Sequence, residues 1–167
     1  MLFMGQEFYE DKRWADDIAN HPNTLVYWDG LSKEKRMIDF HRFTRELIWL
    51  RRNYPALRGE GIRTISMENG PRVLVFHRWV EGVGRDVVVV ASLNEFTIHG
   101  YQIPMPASGR WLEAFNSDVY ENWVNPAASG NGGFIEANGP GLNGLPNSAF
   151  ITVPANSVLV FSRDGGD

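Results

Sequence analysis

The chain contains no cysteine, no long apolar run and no surplus of positive charge. Without cysteine there is no disulfide scaffold, no thiolate metal site and no thiol nucleophile. No stretch approaches the roughly 18 apolar residues that cross a bilayer, so no membrane partner is expected. Sixteen Lys and Arg against 20 Asp and Glu leave a net charge of −4. The basic footprint of a nucleic-acid binder is missing, and no nucleic-acid partner is expected. Met1–Met4 is too short for a signal-peptide core, Glu7 follows at once, and there is no Asn-x-Ser/Thr sequon. These bounds describe a soluble, weakly acidic chain, expected in the cytoplasm.

What is present is a sizeable apolar fraction. Of 167 residues 43% are hydrophobic and 22% charged, enough for one domain, or one domain with an appendage. Seventeen Gly, 9 Pro and 13% aromatics suggest many turns and a β-rich fold. Met1–Met4 is an apolar run at the first residue, as if a longer element had been cut. Glu7 to Asp29 reads as a long acidic and aromatic loop, longer than ordinary connections. A helix is expected from Lys33 to Asn53, with Ser32 as its N-cap and Pro55 ending it at Tyr54. Steps of about 100° place Met37, Phe40, Phe43, Leu47, Ile48, Leu50 and Tyr54 on one arc. Ile38 and Trp49 fall on the opposite side, which suggests a helix held between two layers.

From Ile62 the period changes to two. Strands are expected at 62–67, 73–76, 86–91, 101–104, 110–115, 149–153 and 158–162, with turns at 69–71 and 81–84. Seven short strands without a second helix suggest an antiparallel sandwich. Residues 125–147, with six Gly, five Asn and three Pro, read as one long loop.

Motifs for nucleophilic catalysis and phosphate binding are missing: no Gly-x-Ser-x-Gly, P-loop or His-Glu-x-x-His occurs. Gly139–Gly144 spells Gly-x-Gly-x-x-Gly, but it follows a loop, contains Pro140 and opens no helix. His21, His41, His77 and His99 are dispersed. Asp16, Asp17 and His21 could approach a metal ion, although a solvated acidic loop explains them as well; no metal site and no cofactor are expected. Glu7, Glu10, Asp11, Asp16, Asp17 and Asp29 share one loop with Phe8, Tyr9, Trp14, Tyr27 and Trp28. Carboxylates beside aromatic rings suit a sugar site, and rings that simply pin the loop are the alternative. Trp79, Trp111 and Trp123 would have to be exposed on the sandwich for it to bind carbohydrate itself; packing within the core or an interface is the preferred reading.

Met1-Leu2-Phe3-Met4-Gly5-Gln6-Glu7-Phe8, Tyr27-Trp28-Asp29-Gly30-Leu31 and Phe43–Leu57 resemble the eighth barrel strand, loop and helix of the α-amylase superfamily (glycoside hydrolase family 13). Val87–Asn94, Gly109-Arg110-Trp111, Phe115-Asn116-Ser117-Asp118 and Ser148–Phe161 resemble the C-terminal all-β domain of the same enzymes, most closely the glycogen/starch branching enzymes. The resemblance implies a Greek-key β-sandwich preceded by the last strand–loop–helix of a (β/α)8 barrel, mainly β, with a boundary between residues 1–61 and 62–167. It implies a parent enzyme that cleaves α-1,4 and forms α-1,6 glucosidic links, with this part supporting the barrel and the active-site rim. The family's catalytic acids lie on earlier strands, so no catalytic residue is expected here and the chain alone should be inactive. Gln6, Glu7, Trp14, Trp28 and Asp29 are the implied substrate contacts. The implied partners are α-glucan, reached through the parent, and the rest of the barrel. The loop after Phe8 departs from many branching enzymes, so a superfamily hydrolase stays open, as does a stand-alone carbohydrate-binding or interaction module. In this reading Met37 to Tyr54 cover the barrel, and Ile38 and Trp49 face the sandwich. Residues 1–30 are expected to be mobile, to repack on the sandwich or to pair with another chain.

Overall fold

The computed structural model describes residues 4–11, 16–17, 25–120 and 123–163. Leu2 and Phe3, expected in a barrel strand, and Trp14 and His21 lie outside them. The described part of the first segment is a one-turn helix, Gln6–Phe8. Next come α1 (Gly30–Lys33) and α2 (Lys35–Asn53). Eight strands follow: β1 (Gly61–Glu68), β2 (Val73–Trp79), β3 (Val87–Ser92), β4 (Ile98–Met105), β5 (Arg110–Asn116), β6 (Phe134–Glu136), β7 (Asn147–Val153) and β8 (Val158–Arg163). The expected mainly β, antiparallel sandwich is the fold observed.

The larger sheet has the order β1-β2-β3-β8-β5-β6, and β4 pairs with β7 alone. All pairings are antiparallel. The chain leaves the large sheet after β3, returns at β5, and leaves again for β7 before closing with β8. Between the sheets lies the main core, with Val88 and Val90 of β3, Leu159 and Phe161 of β8, Ile103 and Met105 of β4, and Trp111. The alternate residues Val87, Val89 and Val160 point the other way and meet Leu50, Ala56 and Phe115 under α2. So β3 and β8 are covered on both faces, and that is why they are written as unbroken apolar runs rather than as alternating ones.

Three expectations are corrected. Ser32 is not the N-cap of the long helix. It lies within α1, where its hydroxyl donates to the Asp29 carbonyl at 2.9 Å, and Glu34 is extended (φ −105°, ψ 107°) between the two helices. The 125–147 segment is not one loop, because Phe134–Glu136 pairs with Arg110–Leu112. The faces of α2 are also exchanged. Phe43, Leu47, Leu50 and Tyr54 pack on the sandwich, while Trp49 is 55% and Ile38 41% exposed. The broader apolar stripe buries more area against the sheet, and burial scales with area.

Candidate functional site

Among the described residues, Phe8, Glu10, Tyr27 and Trp28 tie the two ends of the 6–29 segment together ahead of α2. Gly5 and Tyr9 bracket the Gln6–Phe8 turn in left-handed conformations. The Glu10 carboxylate accepts the Tyr27 N–H at 2.6 Å, joining the two halves of the loop. Phe8 is 1% exposed and its ring lies 5.6 Å from that of Trp28. The segment carrying Gln6 and Glu7 is thereby held against the segment carrying Trp28 and Asp29. Gln6 and Asp29 are exposed, Glu7 is half-buried, and Trp28 is 64% exposed. Asp29 is paired with Lys33 one turn on. Gly30 leaves room for Met37, whose Sδ would meet an added Cβ at 2.1 Å. Phe8 and Tyr9 therefore pin the loop, while Trp28 stays available.

A cleft of about 590 Å³ opens beside this corner, between α2, the Ser117–Tyr120 turn and the turn before β8. Its walls are aromatic. Tyr9 and Phe40 lie 5.3 Å apart with planes at 59°, Phe40 and Phe43 5.4 Å apart at 35°, and Phe43 and Tyr120 5.5 Å apart. At the rim the Asp39 carboxylate accepts the Lys35 ammonium and the Trp123 N–H at 3.1 Å. The Ser117 hydroxyl accepts the Val158 N–H at 2.8 Å. Asn156, in the left-handed region at φ 42°, donates its N–H to the Asn94 carbonyl at 2.8 Å. The Arg36 guanidinium covers one face of Tyr9 at 4.4 Å. Burial, reinforced by the charge of Glu46 and a hydrogen bond to it, pushes the Tyr120 phenol up to about 12. In a separate place, burial and Glu68 push Tyr101 up to about 12.

The outer face of α2 forms a second concavity lined by Arg42, Arg45, Ile48, Trp49 and Arg52. Of the sandwich tryptophans, Trp111 is fully buried and its indole N–H donates to the Ala107 carbonyl at 3.2 Å. Trp79 stacks on His77 at 4.8 Å, and Trp123 lies under Arg42 at 4.5 Å. All three are packed, so none is a free platform. His77 itself bonds Asp86 at 2.8 Å. Among the described residues no group of three or more His, Asp or Glu side chains could hold a metal ion, and no helix is long and apolar enough to cross a membrane. The Gly139–Gly144 segment bridges Gly139 to Ser148 and Leu142 to Leu145 and leads into β7, not a helix.

The residues of the cleft were not singled out as a set by sequence reasoning. Phe40 and Phe43 carried a signal through their helical spacing, but Tyr120 and Asn156 arrive from the sandwich, and no local pattern links them to α2.

Comparison with known proteins fits this architecture. A 1,4-alpha-glucan branching enzyme GlgB from Paraburkholderia xenovorans is 31% identical over 170 residues, covering 98% of this chain and 22% of that protein. The protein of that name from Mesorhizobium japonicum is 30% identical, covering 96% of this chain and 21% of its own length. The chain thus spans about a fifth of the length of the curated relatives it matches. Among solved structures, an alpha-amylase from H. orenii superposes with a TM-score of 0.54 at 20% identity, over 89% of this chain and 25% of that one. AmyP, solved in complex with maltose, superposes with a TM-score of 0.56 at 14% identity, over 84% and 24%. These two structures share the fold. Residues 65–164, which make up most of the sandwich, match the family described as alpha amylase, C-terminal all-beta domain, and the chain belongs to that family.

Proposed function

We propose that this chain is the closing part of a cytoplasmic 1,4-alpha-glucan branching enzyme. Residues 1–61 belong to the end of the catalytic barrel and residues 62–167 form its C-terminal sandwich. The whole enzyme cleaves an α-1,4 bond through a covalent glycosyl-enzyme and transfers the released chain to a 6-hydroxyl. Retaining chemistry needs a general acid and a nucleophile about 5–5.5 Å apart, and this role falls to residues of the barrel. The present chain closes the barrel, supports it, and lends Gln6, Glu7, Trp28 and Asp29 (with Trp14) to the glucan-facing rim.

The observation that carries this reading is the two-sidedness of α2. One side is locked to the sandwich through Phe43, Leu50 and Tyr120. The other presents Ile48 and Trp49, 48% and 55% exposed, between Arg42, Arg45 and Arg52. A helix with large apolar groups on its free side suits a position between the sandwich and a barrel. The identity near 30% to branching enzymes over nearly the whole chain supports branching rather than hydrolysis.

Two assays test this. The purified chain alone is expected to leave the iodine colour of amylose unchanged, and turnover would refute the assignment of chemistry to the barrel. Replacing the matching segment of the Paraburkholderia enzyme by this chain should preserve branching, read as α-1,6 linkages without new reducing ends. A soluble chimera that only hydrolyses amylose would refute the branching role.

A further inference from the structure

We propose that Asn69 is a site of spontaneous covalent modification, its side-chain amide converting to a carboxylate through a cyclic imide, independently of any glucan chemistry. Four Asn-Gly pairs occur in the chain, at 69–70, 131–132, 138–139 and 143–144. In such a pair the glycine backbone nitrogen can reach Cγ of the asparagine, because no Cβ hinders its approach. At 69–70 a bond forms from the Gly70 nitrogen to Asn69 Cγ, and the Gly70 amide proton passes to hydroxide. The Cγ–Nδ2 bond breaks, and the amide nitrogen takes a proton from water and leaves as ammonia. Water then opens the ring at either carbonyl, giving an aspartate or an isoaspartate. Nothing is oxidised or reduced, and water is the only co-reactant. The step needs a side chain free to turn, a glycine N–H without a partner, and access for hydroxide.

The fold withholds these conditions from three of the pairs. The Asn131 amide is tethered at both ends. Its Nδ2 donates to the Glu113 carboxylate at 3.0 Å and to the Thr152 carbonyl at 3.1 Å, and its Oδ1 accepts the Thr152 N–H at 2.8 Å. At 138–139 the nucleophile itself is engaged, since the Gly139 N–H donates to the Ser148 carbonyl at 2.9 Å. Asn143 donates its Nδ2 to the Ile65 carbonyl at 3.3 Å. It also sits in a tight turn closed in both directions between Leu142 and Leu145, at 3.1 and 2.9 Å. Asn69 and Gly70 differ on every count. They stand at the apex of the turn from β1 to β2, and both are exposed. Among the described residues neither the Asn69 side chain nor the Gly70 N–H has a hydrogen-bond partner. The turn is anchored only beyond them: Asn94 Nδ2 donates to the Pro71 carbonyl at 3.1 Å, and the Leu93 N–H to the Arg72 carbonyl at 3.0 Å. A free apex therefore stands on a fixed base, and local freedom concentrates at such exposed tips.

The test is site-resolved peptide mapping by mass spectrometry of the chain held in mildly alkaline buffer, folded in one arm and unfolded in urea in the other. Unfolded, the four pairs share the same local chemistry and should convert at similar rates. Folded, position 69 is expected to keep its unfolded rate, while 131, 138 and 143 slow several-fold. Each conversion takes the net charge below −4, so an acidic species should grow on anion exchange. It should grow faster at higher pH, because hydroxide removes the Gly70 proton. Gly70→Ala places a Cβ where nothing lies within 4 Å. It should leave the thermal midpoint unchanged and slow the acidic species several-fold, and Asn69→Ala should abolish that species. An Asn69 peptide protected by folding as strongly as the Asn131 peptide would overturn the proposal. So would an acidic species that grows at full rate in Asn69→Ala.

Discussion

Leu50 and Trp49 are neighbours on α2 with opposite fates, and exchanging each for alanine measures how the helix sits. Leu50 is 3% exposed and packs among Ala56, Val87, Val89, Phe115 and Val160. Truncating such a leucine removes its transfer free energy and leaves a cavity, costing about 2–5 kcal/mol. At this chain length each kcal/mol moves the thermal midpoint by roughly 2–4 °C, so Leu50→Ala should lower it by roughly 4–20 °C. Trp49 is 55% exposed and touches Tyr54 at a centroid distance of 6.4 Å. Its truncation loses modest packing and regains helix propensity, so the net change should stay within about 1 kcal/mol. Urea unfolding followed by circular dichroism reads both, with the midpoint shifted and the slope unchanged for Leu50→Ala. If Trp49→Ala proved as costly as Leu50→Ala, the larger apolar stripe would not be the one against the sandwich, and the assignment of faces would fall.

Trp111→Ala should cost about 3–5 kcal/mol, because the ring is fully buried and its loss leaves the Ala107 carbonyl without its donor; a chemical denaturation curve within about 1 kcal/mol of the parent would contradict this. Gly61→Val should destabilise by about 1–3 kcal/mol, since a Cβ there meets the Trp79 ring at 2.6 Å; an unshifted thermal midpoint would show that Trp79 moves freely. In alkaline titration, Tyr101 and Tyr120 should ionise near 12 rather than 10. Their folded values lie above the unfolded one, so the folded chain holds more protons between about 10 and 12, and stability falls with pH across that window. Glu46→Gln should bring the Tyr120 transition down, read by phenolate absorbance, and an unmoved transition would remove Glu46 as a contributor.

Much of the fold was legible because it is local. Seven of the strands announced themselves through β-branched runs bounded by Gly and Asn, and α2 through an uninterrupted helical period. The three residues of β6 carry no period that could be recognised, and only pairing with β5 makes them a strand. The start of α2 was misplaced for a similar reason. Ser32 has the chemistry of a cap, but the turn at Asp29 claims its hydroxyl. The proposed rim residues Gln6, Glu7, Trp28 and Asp29 rest on resemblance. That Glu10 holds the two halves of their loop together was not legible, since nothing in a run of acidic residues says which one is structural.

By itself the sequence determined the β-rich class, the single long helix, the absence of nucleophile and phosphate motifs, and the family resemblance. These depend on residue types and on spacings within one element. Tertiary structure alone decided which stripe of α2 is covered, that β3 and β8 are buried on both faces, and that Tyr9, Phe40, Tyr120 and Asn156 border one cleft. A periodic pattern states that a helix has an apolar face, but the free energy of covering it depends on the area a distant surface can offer, and that surface exists only once the sheets have formed.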